Sequence, residues 1–320
     1  MRLPVQPLPA EAKPFDVVGF GENSLDLVAV LDGHPLPDSK VQVEHFQALA
    51  GGVVASSLVA CARQAFRARY VGSLGNDHQA KVVEQTLVAE GLDVTACRRC
   101  VCPNRTAIIL VDQRTGRRTV LEARDPALAW TPRDVDVEAM TSGRVLLVDA
   151  RDPSASAAAA RAARKAGIPV VVDVEQPREG LAHLLANVDV LISDAAFPAI
   201  HTGLEPIGRA VRALADEYRP ALTVATLGAD GALAWFEGRE WHLPAWAVTV
   251  VDTTGAGDAF RGGFVAGWLR FGPDADVRDL LGYAGAVAAL NCTVLGAMAG
   301  MPTRAQVDAL VTGVGRGRSN

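Results

Sequence analysis

Residues 250–270 read VVDTTGAGDAFRGGFVAGWLR, which is the most informative stretch of the sequence. A β-branched run ends at Val251, and a glycine-rich turn and a helical pattern follow it. The amides of Gly255, Ala256 and Gly257 should therefore lie unpaired at a helix N-terminus. Unpaired N–H donors and the helix dipole attract anions, and the small residues allow a close approach. The stretch predicts a strand–turn–helix unit that binds a phosphate.

Asp258, near which the helix is predicted to open, supports two interpretations. Aspartate commonly caps helices, so its role could be structural. A carboxylate beside an anion site repels phosphate, however, so anion binding alone gives no reason for its presence. As a general base it would accept the proton of a hydroxyl that attacks a phosphoryl group. The residues alone leave both interpretations open.

Outside this stretch, short β-branched runs alternate with helical patterns, which predicts an α/β fold with a parallel sheet covered by helices. The predicted strands are residues 16–20, 68–73, 145–149, 169–174, 188–192 and 221–226. The predicted helices are residues 54–64, 79–90, 155–166, 206–217 and 258–271. No repeat or low-complexity linker divides the chain, so residues 1–320 are predicted to form a single domain.

Two segments, at about 27–47 and 93–123, depart from this alternation and have the character of paired β-segments. In the second, Thr106–Asp112 and Arg117–Glu122 flank the polar turn Gln113–Gly116, a pattern typical of a hairpin. We expect the two segments to pack together as a small β-sheet lid outside the main layer.

The composition argues against several classes of partner. A net charge of −5, with scattered basic residues, predicts no nucleic-acid binding. No apolar run is long enough for an ordinary membrane span, and the N-terminus has no signal-peptide core. A cytoplasmic location is therefore expected.

Five cysteines are an odd number for a disulfide framework. Cys97, Cys100 and Cys102 form a C-x2-C-x-C cluster, which raises the alternative of a zinc site. Zinc normally takes four ligands, and no fourth candidate lies nearby in sequence. Reduced thiols are the favoured interpretation.

DTTGAGDAF (Asp252–Phe260), together with the pair Gly51–Gly52 before a helix, resembles the PfkB-type, or ribokinase-like, carbohydrate kinases. Further similarities follow in the expected order and cover nearly the whole chain from Phe15: GENSLD (Gly21–Asp26), GSLGND (Gly72–Asp77), TLGADG (Thr226–Gly231) and a closing region near Asn291–Gly300. DVEQPREGL (Asp173–Leu181) is most similar to the ketohexokinase branch, with sulfofructose kinases as neighbours.

The resemblance implies a three-layer αβα sandwich with a β-sheet lid over the sugar. It implies that Asp258 is the catalytic base and that Gly255, Ala256 and Gly257 form the anion hole. It also implies a sugar site, a nucleotide site and a site for a potassium-like cation. The residues at the matching positions are Asp26, Gly51, Gly52 and Arg118 for the sugar, Thr226, Gly228 and Asn291 for the nucleotide, and Asp252 and Thr254 for the cation.

Two positions depart from the family pattern. Ser56 stands where the family usually has an asparagine that contacts the sugar, which suggests a different hydroxyl pattern or a bulkier substrate. The N-x-x-E motif, linked to magnesium and phosphate, begins here at Ser193 and has Ala196 in place of its glutamate. Magnesium would then be positioned by water, by Asp194 or by Glu175, and the sequence does not choose among these.

The predicted function is direct in-line transfer of a phosphoryl group from ATP to a hydroxyl of a ketohexose-like sugar, with Mg²⁺ and an expected K⁺. Homodimerisation through the lid is expected from relatives. One alternative is a nucleoside kinase of the same fold. Another is a sugar- or nucleotide-binding regulatory protein without turnover, which Ser56 and Ala196 favour and Asp258 opposes. A dinucleotide oxidoreductase is disfavoured because Gly19–Ser24 lacks the third glycine of G-x-G-x-x-G.

Overall fold

The computed structural model describes residues 1–43, 45–114 and 118–316. The strands are β1 (Phe15–Phe20), β2 (Ser24–Leu31), β3 (His45–Gly51), β4 (Ala68–Val71), β5 (Ser73–Leu74), β6 (Arg98–Arg99), β7 (Thr106–Asp112), β8 (Arg118–Ala123), β9 (Gly143–Asp149), β10 (Val170–Val174), β11 (Val190–Asp194), β12 (Leu222–Thr226), β13 (Ala232–Phe236) and β14 (Arg239–Leu243). The helices are α1 (Val53–Arg63), α2 (His78–Ala89), α3 (Val137–Met140), α4 (Pro153–Lys165), α5 (Leu181–Leu185), α6 (Ala196–Thr202), α7 (Ile207–Tyr218), α8 (Ala256–Phe271), α9 (Val277–Asn291) and α10 (Arg304–Arg316).

The main sheet has the order β14-β13-β12-β11-β10-β9-β1-β4. Its strands from β12 to β4 run parallel, and β13 and β14 extend it antiparallel beyond β12. All six predicted strands lie in this parallel part. Because parallel strands have their carboxyl ends at one edge, residues that follow β1, β9, β10, β11 and β12 meet there.

Alternate residues of the central strands point into two separate cores. Val17, Val145 and Val171 pack into the core that includes residues of α1, α2, α8, α9 and α10. Val18 and Leu146, the neighbours of the first two, pack into the core on the other face, with α3, α4, α5 and α6. The predicted three-layer αβα sandwich is therefore confirmed.

A second, four-stranded sheet, called here the small sheet, has the order β3-β2-β7-β8. It combines strands from both sequence segments that depart from the main alternation, and β7 and β8 pair as a hairpin. Its extent differs from the predicted 27–47 and 93–123. The sheet begins at Ser24 and includes β3 up to Gly51, whereas β6 pairs with β5 elsewhere. Residues 115–117, which are the last two residues of the predicted turn and the first residue of the predicted second strand, lie outside the described residues.

The five cysteines are free, and four of them are buried. Cys97 donates a hydrogen bond to the carbonyl of Tyr70, with 3.5 Å between sulfur and oxygen. Cys100 and Cys102 pack against Leu128 in a small apolar cluster. No helix among the described residues is long and apolar enough to cross a membrane.

Candidate active site

The glycine-rich turn before α8 lies at the carboxyl edge of the main sheet. Gly255 is the N-cap, with a left-handed φ of 75°, and α8 begins at Ala256, two residues earlier than predicted. A Cβ built on Gly255 would lie 2.6 Å from the Ala297 carbonyl oxygen. Glycine is required at this position, therefore, both by backbone conformation and by space.

Two of the three turn amides that were predicted to be unpaired have no backbone acceptor among the described residues. The Ala256 amide donates to the Thr253 carbonyl at 3.2 Å, so it is not a free donor. The amides of Gly255 and Gly257 donate to no backbone carbonyl of the described residues. These two N–H groups are the donors available to an anion at the α8 N-terminus.

Asp258 does not cap α8, because the cap position is occupied by Gly255. It lies in the first turn, and its Oδ1 accepts a hydrogen bond of 3.1 Å from Arg261 Nη1. The pKa of Asp258 is raised to about 7: burial is the main cause, Arg261 and Arg118 oppose the rise, and the charges of Glu175 and Asp26 contribute to it. A carboxylate that titrates near neutrality can accept a proton at physiological pH, as a general base must.

The predicted sugar residues on β2 and β3 lie against one another. Asp26 is 7% exposed, its Oδ1 accepts a 2.6 Å hydrogen bond from Ser24, and burial raises its pKa. A Cβ on Gly51 would collide with the Asp26 carboxylate, and one on Gly52, where φ is 101°, would collide with the Asn23 backbone. Both positions therefore require glycine, and at Gly51 the missing side chain lets the backbone lie directly against the Asp26 carboxylate.

Arg118 links the small sheet to the glycine-rich turn. It lies at the start of β8, and its Nη1 donates to Thr253 Oγ1 at 3.0 Å. Its charge also reaches Asp258, whose pKa it lowers. Arg118 therefore joins the start of β8 to the turn that precedes α8.

A cluster that sequence reasoning missed surrounds Glu22, which is called here the Glu22 cluster. Arg105, Arg124 and Arg151 approach Glu22 Oε1 at 3.4, 3.2 and 3.2 Å. Glu122 pairs with two of these arginines, at 2.8 and 3.0 Å. Charged residues so far apart in sequence give no local pattern, so no signal could have revealed the cluster.

The Glu22 cluster lines a cavity of about 20 Å³, enough space for a water molecule. Asp149, at the end of β9, also lines it and accepts the Glu22 amide at 2.7 Å. The pKa of Asp149 is raised to about 7, mainly by burial and then by the charge of Glu22. The lining of the cavity includes Phe20, the last residue of β1, and extends to Asn23 in the segment that leads to Asp26.

Three predicted site residues are closed off from solvent. Ser56 is 0% exposed and its Oγ has no hydrogen-bond partner among the described residues, so it faces no open sugar site. Asn291, also 0% exposed, donates to the Thr254 carbonyl at 3.1 Å, so it supports the turn and does not line a nucleotide pocket. Ser193 is equally buried, and its hydroxyl donates to the Asp194 carbonyl at 3.0 Å.

Thr226 and Gly228, the other two residues predicted to bind nucleotide, lie at the open carboxyl edge of the main sheet. Thr226 ends β12, and its hydroxyl donates to the Ser193 carbonyl at 3.2 Å. Gly228 is exposed, with a φ of 60° and no atom within 4 Å of a built Cβ. Both are accessible to a ligand that lies across this edge.

Asp252 and Thr254, the residues predicted to bind a cation, fasten the turn to the segment after α9. Asp252 Oδ1 accepts from the Thr254 amide and hydroxyl at 2.9 and 2.8 Å, and Oδ2 accepts from the Gly296 amide at 2.8 Å. The nearby Asn291 Oδ1 is buried without a partner. Asp252 Oδ2, which accepts one hydrogen bond, and Asn291 Oδ1, which accepts none, can each accept a further contact. Such oxygen atoms are suitable ligands for a hard cation.

The two magnesium candidates follow adjacent strands. Glu175 comes directly after β10, and Asp194 ends β11. Asp194 Oδ1 accepts the amides of Ala196 and Phe197 at 3.2 and 2.8 Å, which fixes this carboxylate at the sheet edge. Carboxylate oxygens are the ligands that Mg²⁺ prefers, so both residues fit the ion.

Comparison with known proteins identifies this arrangement. Residues 15–304 match the pfkB family carbohydrate kinases. A fructokinase from Escherichia coli is 30% identical over 312 residues, which cover 90% of this chain and 97% of the fructokinase. An ATP-dependent ribose-1-phosphate kinase from Halopiger xanaduensis is 29% identical over 303 residues, which cover 92% of this chain and 98% of the relative.

Solved structures agree on the fold. The ribokinase from Thermotoga maritima has a TM-score of 0.79 and 23% identity, with 93% of this chain and 99% of that one covered. The Arabidopsis thaliana ribokinase complexed with ribose and ATP has a TM-score of 0.78 and 24% identity, with 93% and 98% covered. The chain therefore belongs to the pfkB family of carbohydrate kinases and is an ATP-dependent sugar kinase.

Proposed function

We propose that the protein transfers the γ-phosphoryl group of Mg·ATP directly to a hydroxyl of a ketohexose-like sugar, with Asp258 as the general base. The observation that carries the proposal is the position of Asp258. Its partly buried carboxyl group, with a pKa of about 7, lies in the first turn of α8 beside the two available amides of Gly255 and Gly257. The general base and the amides that donate hydrogen bonds to phosphate thus lie in the same helix turn.

In this mechanism the chain's own residues orient the acceptor and move its proton. Asp26, beside Gly51 and Gly52, accepts hydrogen bonds from sugar hydroxyls and points one of them toward Asp258. Asp258 takes that proton as the phosphoryl group arrives. Asp194, Glu175 or water would hold Mg²⁺, which would supply neutralisation of the phosphate charge. The Gly255 and Gly257 amides stabilise the charge that develops on the transferred group.

The small sheet is proposed to act as a lid over the sugar. Arg118 reaches from β8 to Thr253 in the turn, so closure places a cation above the substrate site. Closure also excludes water, which would otherwise accept the phosphoryl group. A cytoplasmic location is proposed with this function because ATP is its phosphoryl donor.

A ketohexose is the favoured acceptor because a similar relative is a fructokinase. Ribokinases and a ribose-1-phosphate kinase among the other relatives favour a pentose as the second candidate. We would measure ADP release from Mg·ATP with ketohexoses, aldohexoses, ribose, ribose 1-phosphate, sugar acids and nucleosides. Fructose or another ketohexose should give the highest kcat/KM.

Strongest turnover with ribose, its phosphate or a nucleoside would contradict the ketohexose assignment and leave the kinase assignment standing. ATP binding without ADP release on any acceptor would favour the regulatory alternative.

The same assay in K⁺ and in Na⁺ tests the cation site at Asp252 and Thr254. We expect faster turnover in K⁺, and equal rates would contradict the site.

We also propose a homodimer formed through the outer face of the small sheet. Phe46, Ile108 and Leu121 are 63%, 42% and 53% exposed, and the strand registers place them on one face. Exposed apolar patches of this kind commonly mark interfaces. Sedimentation should give a dimer for the natural chain and a monomer for Ile108→Lys. Ile200→Lys, a change of an equally exposed isoleucine on α6, is the control and should remain dimeric. A monomeric natural chain would contradict the proposal.

A further inference from the structure

Arg261 is a buried arginine that has no role in the mechanism proposed above. It lies on α8 one turn after Asp258 and is 3% exposed. Its Nη1 donates to Asp258 Oδ1 at 3.1 Å. A guanidinium group is costly to bury unless anionic partners surround it, so its position requires an explanation.

Asp173 anchors this guanidinium from the main sheet. It lies on β10, its side chain is 3% exposed, and it forms an ion pair with Arg261 Nη2. The two nitrogens at the end of one guanidinium thus contact two carboxylates on different elements. Because the group is planar and rigid, its contact with Asp173 fixes the direction in which Nη1 meets Asp258.

The glycine-rich turn accommodates the same group. A Cβ built on Gly257 would lie 3.0 Å from Arg261 Nη1 and 3.5 Å from its Cζ. The guanidinium therefore packs directly against the turn that carries the phosphate-binding amides. The Gly257 position serves two purposes, a close approach of phosphate and space for Arg261.

We propose that Arg261, anchored by Asp173, is a positioning residue that holds the Asp258 carboxylate ionised and aimed at the acceptor hydroxyl. This inference rests on the proposed function, in which Asp258 is the base. Arg261 itself is turned toward carboxylates and is not placed on the substrate.

The charges around Asp258 determine in which direction its pKa changes when Arg261 is removed. Glu175 after β10 and Asp26 on β2 raise its pKa, as burial does, whereas Arg261 on α8 and Arg118 on β8 lower it. Arg261 is the larger of the two opposing influences. Without it, the carboxyl group would hold its proton to higher pH. Since only the ionised form accepts a proton, activity would then be lost at a higher pH on the acid side.

The test is the pH dependence of kcat/KM for Arg261→Gln. The acid limb of the natural enzyme should lie near pH 7, the pKa of Asp258. In the variant it should move upward by about one pH unit or more, the usual effect of one adjacent opposite charge. Arg270→Gln is the matched control, because Arg270 lies on the same helix but pairs with Asp308 on α10. Its acid limb should not move.

Arg261→Gln leaves Asp173 buried without its cation, which can prevent folding. The double variant Arg261→Gln/Asp173→Asn removes both charges and avoids that cost. It should fold, as judged by circular dichroism and thermal unfolding. Its acid limb should still be raised, but by less than in the single variant, because loss of the Asp173 charge, which also repels that of Asp258, partly offsets the loss of Arg261. A folded double variant with the natural acid limb would overturn the proposal.

A readout without turnover separates this inference from the proposed function. The ¹³C resonance of the Asp258 carboxyl group, assigned by its loss in Asp258→Asn, reports its pKa directly in the free protein. That pKa should be higher in the double variant than in the natural chain, whether or not Asp258 proves to be the base. An unchanged carboxyl pKa would refute the role of Arg261, and full activity of Asp258→Asn would refute only the proposed function.

Discussion

Replacing Asp258 with asparagine is expected to lower kcat by at least about 10²-fold, with little change in the KM values for ATP and sugar. The substitution keeps the size of the side chain but removes its capacity to accept a proton. Binding depends mainly on Asp26, the glycines and the amides of the turn, which the change leaves in place. The loss should therefore fall on the chemical step.

Steady-state kinetics of Asp258→Asn with the best sugar of the panel would measure this effect. Asp216→Asn provides the control, because Asp216 is an exposed carboxylate on α7 whose partner, Arg212, is equally exposed. Its kinetics should match those of the natural chain. Near-normal kcat for Asp258→Asn would contradict the assignment of the base and favour a structural role for that residue.

Gly255→Ala should also reduce kcat/KM by about 10²-fold, the scale reached when catalytic groups are displaced by about 1 Å. The left-handed φ of 75° at Gly255 disfavours any side chain, and the added Cβ would lie 2.6 Å from the Ala297 carbonyl oxygen. Because the Cβ meets backbone atoms of Ala297, which no side-chain rotation can move away, the turn itself must move. The phosphate-binding amides and Asp258 would move with it.

Kinetics and thermal unfolding of Gly255→Ala would be compared with those of Gly282→Ala. Gly282 lies inside α9, and no atom lies within 4 Å of its built Cβ. Alanine there should keep full activity and raise stability by about 0.5–1 kcal/mol, the difference in helix propensity. Full activity of Gly255→Ala would show that the left-handed turn is not needed for catalysis.

The parallel sheet and its covering helices could be predicted because both signals are local. β-Branched runs mark the buried strands, and each is short enough to be distinguished from a helix. The small sheet was predictable for a similar reason, since Thr106–Asp112 forms a hairpin strand as its pattern indicates. The boundaries were less accurate: β3 extends to Gly51 because its last residues pair with β2, a contact that no local pattern reveals.

The candidate site was predictable only where its residues lie close together in one segment of the sequence. Residues 252–258 contain the turn and the carboxylate together, so their chemistry was visible in the sequence. The ion pair between Asp173 and Arg261 joins a strand to a helix distant in the chain, and only the fold brings the two residues together. Burial was equally hidden, which is why Asn291 was expected at a ligand and lies beneath the turn instead.

The Glu22 cluster has a consequence for how this kinase can change during evolution. Arg105 and Arg124 flank the strands of the small sheet, whereas Glu22 and Arg151 follow strands of the main sheet. The same side chains that shape the cavity next to Asp26 thus fasten the two sheets together. A substitution at Glu22 or at one of these arginines therefore changes the cavity and the contact between the two sheets at the same time. During divergence, a mutation that alters the polar lining of this cavity also alters how firmly the small sheet is held.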